Sequence, residues 1–165
     1  MKIAIVYHSE TGNTRKMAEL VADGAKSVSK AVEVRLMTCD AADDEFLAAS
    51  SAIILGCPTY QGTLSWQMKR FLDENHGDFA GKLGGAFASQ NWPGGGGADL
   101  VEICILAGML VKGMLVYSGG ITVGQPYLHF GAVSARAPEG LFAERCVKLG
   151  ENIAKKAIEL FPVTK

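Results

Sequence analysis

The feature that most constrains the fold of this chain is an apolar run near its start that leads into a hydroxyl-rich loop. Residues 3–6 are apolar throughout and rich in β-branched side chains, which predicts a strand buried on both faces at the centre of a parallel sheet. After the loop at 9–14, apolar and small side chains recur at spacings of three and four, which predicts a helix with one inward face. That face comprises Met17, Leu20, Val21, Gly24, Ala25 and Val28.

The loop has the composition of an anion site. The first amides of a helix have no partner inside the helix, and the helix dipole favours negative charge there. The loop adds neutral hydroxyl donors and a glycine, but it has no lysine, unlike the loop that holds nucleoside triphosphates. We therefore predict a site for one phosphomonoester, held without a metal. The alternative is that the hydroxyls only cap the helix. The candidate residues are Ser9, Glu10, Thr11, Gly12, Asn13 and Thr14.

Strand and helix patterns alternate along the rest of the chain. This alternation predicts a single α/β domain spanning residues 1–165, doubly wound, with parallel strands and helices on both faces. The loops after the first, third and fourth strands would then meet at the carboxyl edge of the sheet. The later predicted elements are strands at 32–37, 51–56, 84–89 and 114–117, helices at 64–74, 98–112 and 139–160, a short surface helix or loop at 41–50, and a long glycine- and proline-rich loop at 118–138.

Two of these loops carry aromatic residues that could stack on a planar ring. Tyr60 lies on a loop stiffened by proline, and Trp92 precedes a run of glycines. Polar groups beside Trp92 would contact the polar edge of such a ring. The alternative is that both aromatics are ordinary loop residues packed on the body of the protein. The candidates are Pro58, Thr59, Tyr60, Gln61 and Gly62 in one loop, and Ser89, Gln90, Asn91, Trp92, Gly95 and Gly96 in the other.

These motifs resemble those of known flavoproteins. Ser-x-Thr-Gly-Asn-Thr at 9–14 resembles the FMN-phosphate loop of the flavodoxin family. Gly-Cys-Pro-Thr-Tyr-x-Gly at 56–62, followed by Met-Lys-Arg-Phe-Leu-Asp at 68–73, resembles the NAD(P)H:quinone oxidoreductases of the WrbA type, a branch of the flavodoxin-like superfamily. The resemblance implies a flavodoxin-like five-stranded sheet of order 2-1-3-4-5, with FMN held by the candidate residues above. It also implies NADH or NADPH as a candidate electron donor, and a homo-oligomer, either a dimer or a tetramer.

The resemblance leaves two main functions open. The first, which the near-neutral charge and the 118–138 segment favour, is an FMN-dependent oxidoreductase that passes two electrons from NAD(P)H to a quinone. The alternative is a flavodoxin that carries single electrons between redox proteins, which the loop at 9–14 favours; a flavin-loaded binding module without turnover is a third. FMN supplies the chemistry, so no catalytic side chain is expected. His129 and Tyr127 would line a substrate pocket, although a lone histidine in such a loop is more often structural.

Charge and cysteine usage narrow the class of protein further. Sixteen basic and seventeen acidic residues give a net charge of −1, which argues against nucleic-acid binding and is unlike the strongly acidic flavodoxins that shuttle electrons. Four scattered cysteines without a C-x-x-C pair predict no metal site and suit a reducing compartment. No apolar run approaches the roughly 20 residues of a membrane span, and the chain starts directly with a strand. We therefore predict a cytoplasmic protein without membrane insertion.

Overall fold

The computed structural model describes residues 1–162 and has one parallel β-sheet between two layers of helices. Strand and helix segments alternate along the chain, as the sequence predicts. The strands are β1 (Lys2–Tyr7), β2 (Glu33–Thr38), β3 (Ala52–Pro58), β4 (Leu83–Gln90), β5 (Leu115–Val116) and β6 (Ala132–Ala135). The helices are α1 (Asn13–Val28), α2 (Asp44–Ala49), α3 (Trp66–Asp73), α4 (Ala98–Val111) and α5 (Leu141–Leu160), with a 3₁₀ turn at Cys39–Ala41.

The sheet has the strand order β2-β1-β3-β4-β5, and every neighbouring pair is parallel. This confirms the predicted doubly wound order. β1 lies between β2 and β3 and is buried along its length after Lys2. The carboxyl ends of β1, β3 and β4 therefore lie side by side at one edge, where a ligand site is expected.

The fifth position of the sheet is filled by two separate strands. β5 pairs with Leu83 and Gly84 at the start of β4, and β6 pairs with Phe87–Gln90 at its end, both parallel. Between them the chain leaves the sheet and returns, through residues that we call the 117–131 segment. The prediction of a loop throughout 118–138 was therefore wrong for residues 132–135. This run of four residues is short, and most of its side chains are small. Its sequence does not show the apolar–polar alternation typical of a strand, so pairing with β4 determines its strand structure.

Alternation along β1 divides the core between the two faces of the sheet. Ile3 and Ile5 pack with α1 and α5, whereas Ala4 and Val6 face the layer that contains α2, α3 and α4. Met17 and Val21 of α1 are fully buried, which confirms the predicted inward face of that helix. None of the helices within residues 1–162 combines the length and the apolar character needed to cross a bilayer.

The backbones of α1 and α5 touch through two glycines. A Cβ atom at Gly150 would overlap the carbonyl oxygen of Val21, and one at Gly24 would overlap that of Val147. Both obstacles are backbone atoms, which cannot rotate away as a flexible side chain would. The close approach of these helices therefore depends on having no side chain at either position.

Candidate functional site

The loop between β1 and α1 leaves amide groups free at the helix start. Gly12 is the N-cap residue, with φ of 89°, a left-handed conformation that glycine adopts without strain. Ser9 Oγ accepts hydrogen bonds from the amides of Gly12 (3.2 Å) and Arg15 (3.3 Å), so this hydroxyl does cap the helix. The amides of Asn13 and Thr14 have no acceptor within residues 1–162. They are free to bind an anion.

Thr14 joins this loop to the end of β4. Its hydroxyl lies 2.9 Å from the hydroxyl of Ser89, and both residues are buried. Glu10 is exposed and lies 3.0 Å from His8 Nε2 and 3.3 Å from Gln67 Nε2. Gln67 was not predicted as a site residue. A polar side chain on the inward face of α3 was the available signal for it.

The loop after β3 is a tight hairpin. Tyr60 and Thr63 exchange two backbone hydrogen bonds of 3.0 Å, while Gln61 and Gly62 have φ of 50° and 77°. Two consecutive positive φ values correspond to a type I′ turn. The Tyr60 side chain points outward, and its residue is 40% exposed. Partial burial, and secondly the charge of Glu10, raise the pKa of Tyr60.

The glycine-rich loop after β4 folds back onto this hairpin. Gln90 Oε1 accepts a hydrogen bond of 2.9 Å from the amide of Ala98 and so caps α4. A Cβ at Gly97 would lie 3.3 Å from Thr59 Cγ2 and 3.4 Å from Gly62 Cα, so the two loops are in contact. Trp92 is 69% exposed. Asn91 and Gly95 are exposed as well, while Gly96 lies against the Gln90 side chain.

The three loops meet at the carboxyl edge of the sheet, and their donors suit FMN. The free amides of α1 match a phosphate, and the hydroxyl of Thr59 is buried without a hydrogen-bond partner within residues 1–162. A ligand hydroxyl would satisfy that atom. Tyr60 and Trp92 offer exposed aromatic surface to a planar ring. The residues present therefore fit a phosphorylated flavin.

Tyr127 and His129 lie in the 117–131 segment; His129 lines a cavity beside the glycine-rich loop, and Tyr127 does not. They line a small surface cavity with Leu141 and Arg145, and no residue of 58–62 lines it. The backbone oxygen of His129 accepts a 2.6 Å hydrogen bond from Ser118 Oγ. Their role at a substrate pocket stays a prediction. In the described part of the chain, no three His, Cys, Asp or Glu side chains lie together as a metal site would require.

The four cysteines differ sharply in burial, which predicts their reactivity. Burial raises the pKa of Cys39 to about 12, of Cys57 to about 11 and of Cys146 to about 12. Cys104 is exposed on α4. Since the thiolate is the reactive form, we expect Ellman's reagent to titrate one thiol per folded chain at about pH 8. Cys104→Ser should remove that signal, and a second fast thiol in this variant would contradict the assignment.

Comparison with known proteins identifies the family. The family model for flavodoxin matches residues 5–102, which is more than half of the chain. The chain belongs to the flavodoxin family. It is 43% identical to a flavodoxin of Clostridium saccharobutylicum, an alignment that covers 98% of this chain and 100% of the relative. Flavodoxins bind FMN, and the chain is therefore an FMN protein.

The comparisons also confirm the resemblance to quinone-reducing relatives. An NAD(P)H dehydrogenase (quinone) of Cupriavidus metallidurans is 30% identical, with 97% of this chain and 98% of that protein covered. A similar crystal structure is that of a flavodoxin, WrbA-like protein from Agrobacterium tumefaciens, with a TM-score of 0.76 and 26% sequence identity. The match covers 96% of this chain and 98% of that chain. The Cupriavidus alignment runs over 203 positions, more than the 165 residues of this flavodoxin-family chain, so that relative carries insertions.

Proposed function

We propose that this chain is a one-electron carrier that docks on redox partner proteins through its FMN site. The observation that carries this proposal is the position of Tyr60 and Trp92 on neighbouring loops at the surface of the protein, which would place the flavin ring between them at the open edge of the sheet. A carrier needs its cofactor edge near the surface, where a small, transient interface can form. The full-length similarity to a protein named flavodoxin supports the same function.

Each of the three loops would contact a different part of FMN. The amides of Asn13 and Thr14 would bind the phosphate, and the Thr59 hydroxyl would bind a polar group between phosphate and ring. Tyr60 and Trp92 would cover ring surface and exclude water from it. When bound, FMN supplies reversible electron transfer, and these residues tune it through contacts and backbone dipoles. Gly62, with positive φ, is the peptide we expect to adapt to the cofactor.

Two-electron reduction of quinones by NADH or NADPH is the second candidate. The relatives named NAD(P)H dehydrogenase (quinone) favour it, since they align over nearly the whole chain. The net charge of −1 favours it as well, because carriers commonly use a charged face for steering. In this function His129 and Tyr127 would contact the substrate. A cytoplasmic location and a homo-oligomeric state, both predicted from the sequence, remain proposals.

One anaerobic experiment separates the two functions. FMN-loaded protein is mixed with NADH or NADPH, and the absorption of oxidised flavin is followed before and after benzoquinone is added. For a carrier, we expect neither nucleotide to bleach the absorption, and dithionite to reduce the protein in two resolved one-electron steps. Rapid bleaching by a nucleotide, with rapid recovery on adding benzoquinone, would instead establish the reductase. A protein that fails to bind FMN at all would exclude both.

A further inference from the structure

A second cavity lies beside the glycine-rich loop. Its volume is about 1060 Å³, just above the usual size range of small-molecule sites. It is bounded by residues 94–97, the first turns of α4, both ends of the 117–131 segment and the start of α5. Of the described residues that line it, none belongs to the loops 9–14 or 58–62. The cavity is therefore separate from the phosphate and hairpin loops, but it adjoins the FMN site, because the FMN candidates Gln90, Gly95 and Gly96 also line it.

Glu102 contributes an unpaired carboxyl group to this cavity. The residue is 2% exposed, and its Oε1 atom has no hydrogen-bond partner within residues 1–162. Burial raises the pKa of Glu102 well above its ordinary value, Asp99 on the same helix raises it further, and Arg145 on α5 opposes the shift. His129 is the other titratable side chain facing the cavity. Burial thus favours the neutral carboxyl, which can donate a hydrogen bond.

Arg145 contributes a positive charge that is also unpaired. Its Nε atom is buried without a hydrogen-bond partner, and in the described part of the chain its guanidinium makes no ion pair. A guanidinium can bind a carboxylate through two parallel hydrogen bonds. An arginine that is partly buried and lacks an acidic partner is suited to an anion supplied from outside.

The remaining walls are apolar. Aromatic and aliphatic side chains surround the two polar groups, and Ile121 and Phe130, exposed at 62% and 47%, add apolar surface to the lining. Such walls favour a flat hydrocarbon body over a sugar or a free inorganic ion. The apolar lining residues that matter here are Leu100, Ile121, Phe130 and Phe142.

We propose that this cavity, the Glu102 cavity, binds a flat aromatic carboxylate, with Arg145 pairing with the anion and Glu102 donating a hydrogen bond to it. Two ionised side chains then line the cavity, Arg145 and Asp99. Asp99 is exposed to solvent, whereas Arg145 Nε is buried without a partner, so an anion that enters the cavity gains most by pairing with Arg145. Ionisation of Glu102 would place a second negative charge next to the ligand. Binding is therefore coupled to the protonation of Glu102.

Calorimetric titration of FMN-loaded protein with 2-naphthoate tests the proposal while FMN occupies its own site. We expect one saturable site per chain, with 2-naphthamide, which has the same shape without the charge, binding at least about tenfold more weakly. Arg145→Met should weaken 2-naphthoate binding by a similar factor of at least about ten, since it removes the charge and keeps the alkyl stem. Lys155→Met removes one charge from the same helix outside the cavity and should change nothing.

The pH dependence tests the role of Glu102. Affinity for 2-naphthoate should fall as pH rises through the range in which Glu102 ionises, and Glu102→Gln, which stays neutral and keeps a donor, should abolish that fall. Arg145→Lys, which keeps the charge, should bind better than Arg145→Met and guards against misfolding of the latter. The proposal is overturned if 2-naphthoate shows no saturable binding, if Arg145→Met binds as tightly as the wild type, or if Glu102→Gln retains the pH dependence.

Discussion

Replacing Thr11 by aspartate is expected to weaken FMN binding on the order of 100-fold, because a carboxylate near the phosphate repels it by about 3 kcal/mol at close range. Thr11 is exposed and lies one residue before the N-cap of α1. The new charge would stand at the place where the free amides of Asn13 and Thr14 are predicted to hold the phosphate. Fluorescence titration of FMN, which is quenched on binding to stacked aromatics, measures the dissociation constant.

The same substitution should leave the cofactor-free fold intact. An acidic residue at a helix N-terminus is favourable, so the free energy of unfolding should be unchanged or higher by about 0.5 kcal/mol. Thr11→Asn is the matched control, since it has the shape of aspartate without its charge. It should weaken binding by no more than about tenfold, the contribution of one neutral hydrogen bond. If both variants bind FMN equally well, the phosphate does not bind at this loop.

Gly150→Ala is expected to destabilise the fold by about 3 kcal/mol, the upper end of the range for overpacking a core. The added Cβ would overlap the Val21 carbonyl oxygen, so α1 and α5 would have to separate. This cost should exceed the gain of about 1 kcal/mol that alanine brings to a helix interior. Urea unfolding of the cofactor-free protein, followed by circular dichroism, should show a lower midpoint with an unchanged slope.

Gly108→Ala provides the matched control for this prediction. Gly108 also lies inside a helix, but a Cβ there would meet the Leu72 side chain at 3.3 Å, and that side chain can move. Helix propensity and mild crowding then oppose each other, so we expect a change of less than about 1 kcal/mol. Equal destabilisation by both substitutions would mean that the α1–α5 backbone contact does not limit stability.

Features that depend on local pattern could be predicted from the sequence. Residues 3–6 are a strand and α1 has its predicted inward face, because burial on both faces and a period of 3.6 leave direct signatures in residue order. The meeting of three loops at one edge followed from strand–helix alternation alone. The buried hydrogen bond between Thr14 and Ser89 joins two of those predicted loops.

Features that depend on contacts between distant residues could not be predicted. β6 is a strand because β4 supplies its partners, and nothing within its four residues requires that. The sequence predicts that Gln90 contacts the ligand. In the structure the glycine-rich loop folds back, and Gln90 Oε1 accepts a hydrogen bond from the amide of Ala98. Glu102 and Arg145 each resemble ordinary helix residues in sequence. Only the tertiary fold, which brings the first turns of α4 and α5 close together although the helices lie on opposite faces of the sheet, places both in one cavity.

For protein engineering, the interruption of the fifth strand makes the 117–131 segment a candidate for replacement, because β5 and β6 hold its two ends in the sheet. Val116 and Ala132 stand opposite Gly84 and Phe87, so only Gly85 and Ala86 of β4 separate the points where the chain departs and re-enters. We expect segments of other lengths to fit between these anchors without shifting the register of the sheet, provided that they keep Leu128, which is 1% exposed and packs in the core. The phosphate and hairpin loops lie outside this segment, so we expect changes within it to leave those FMN contacts in place.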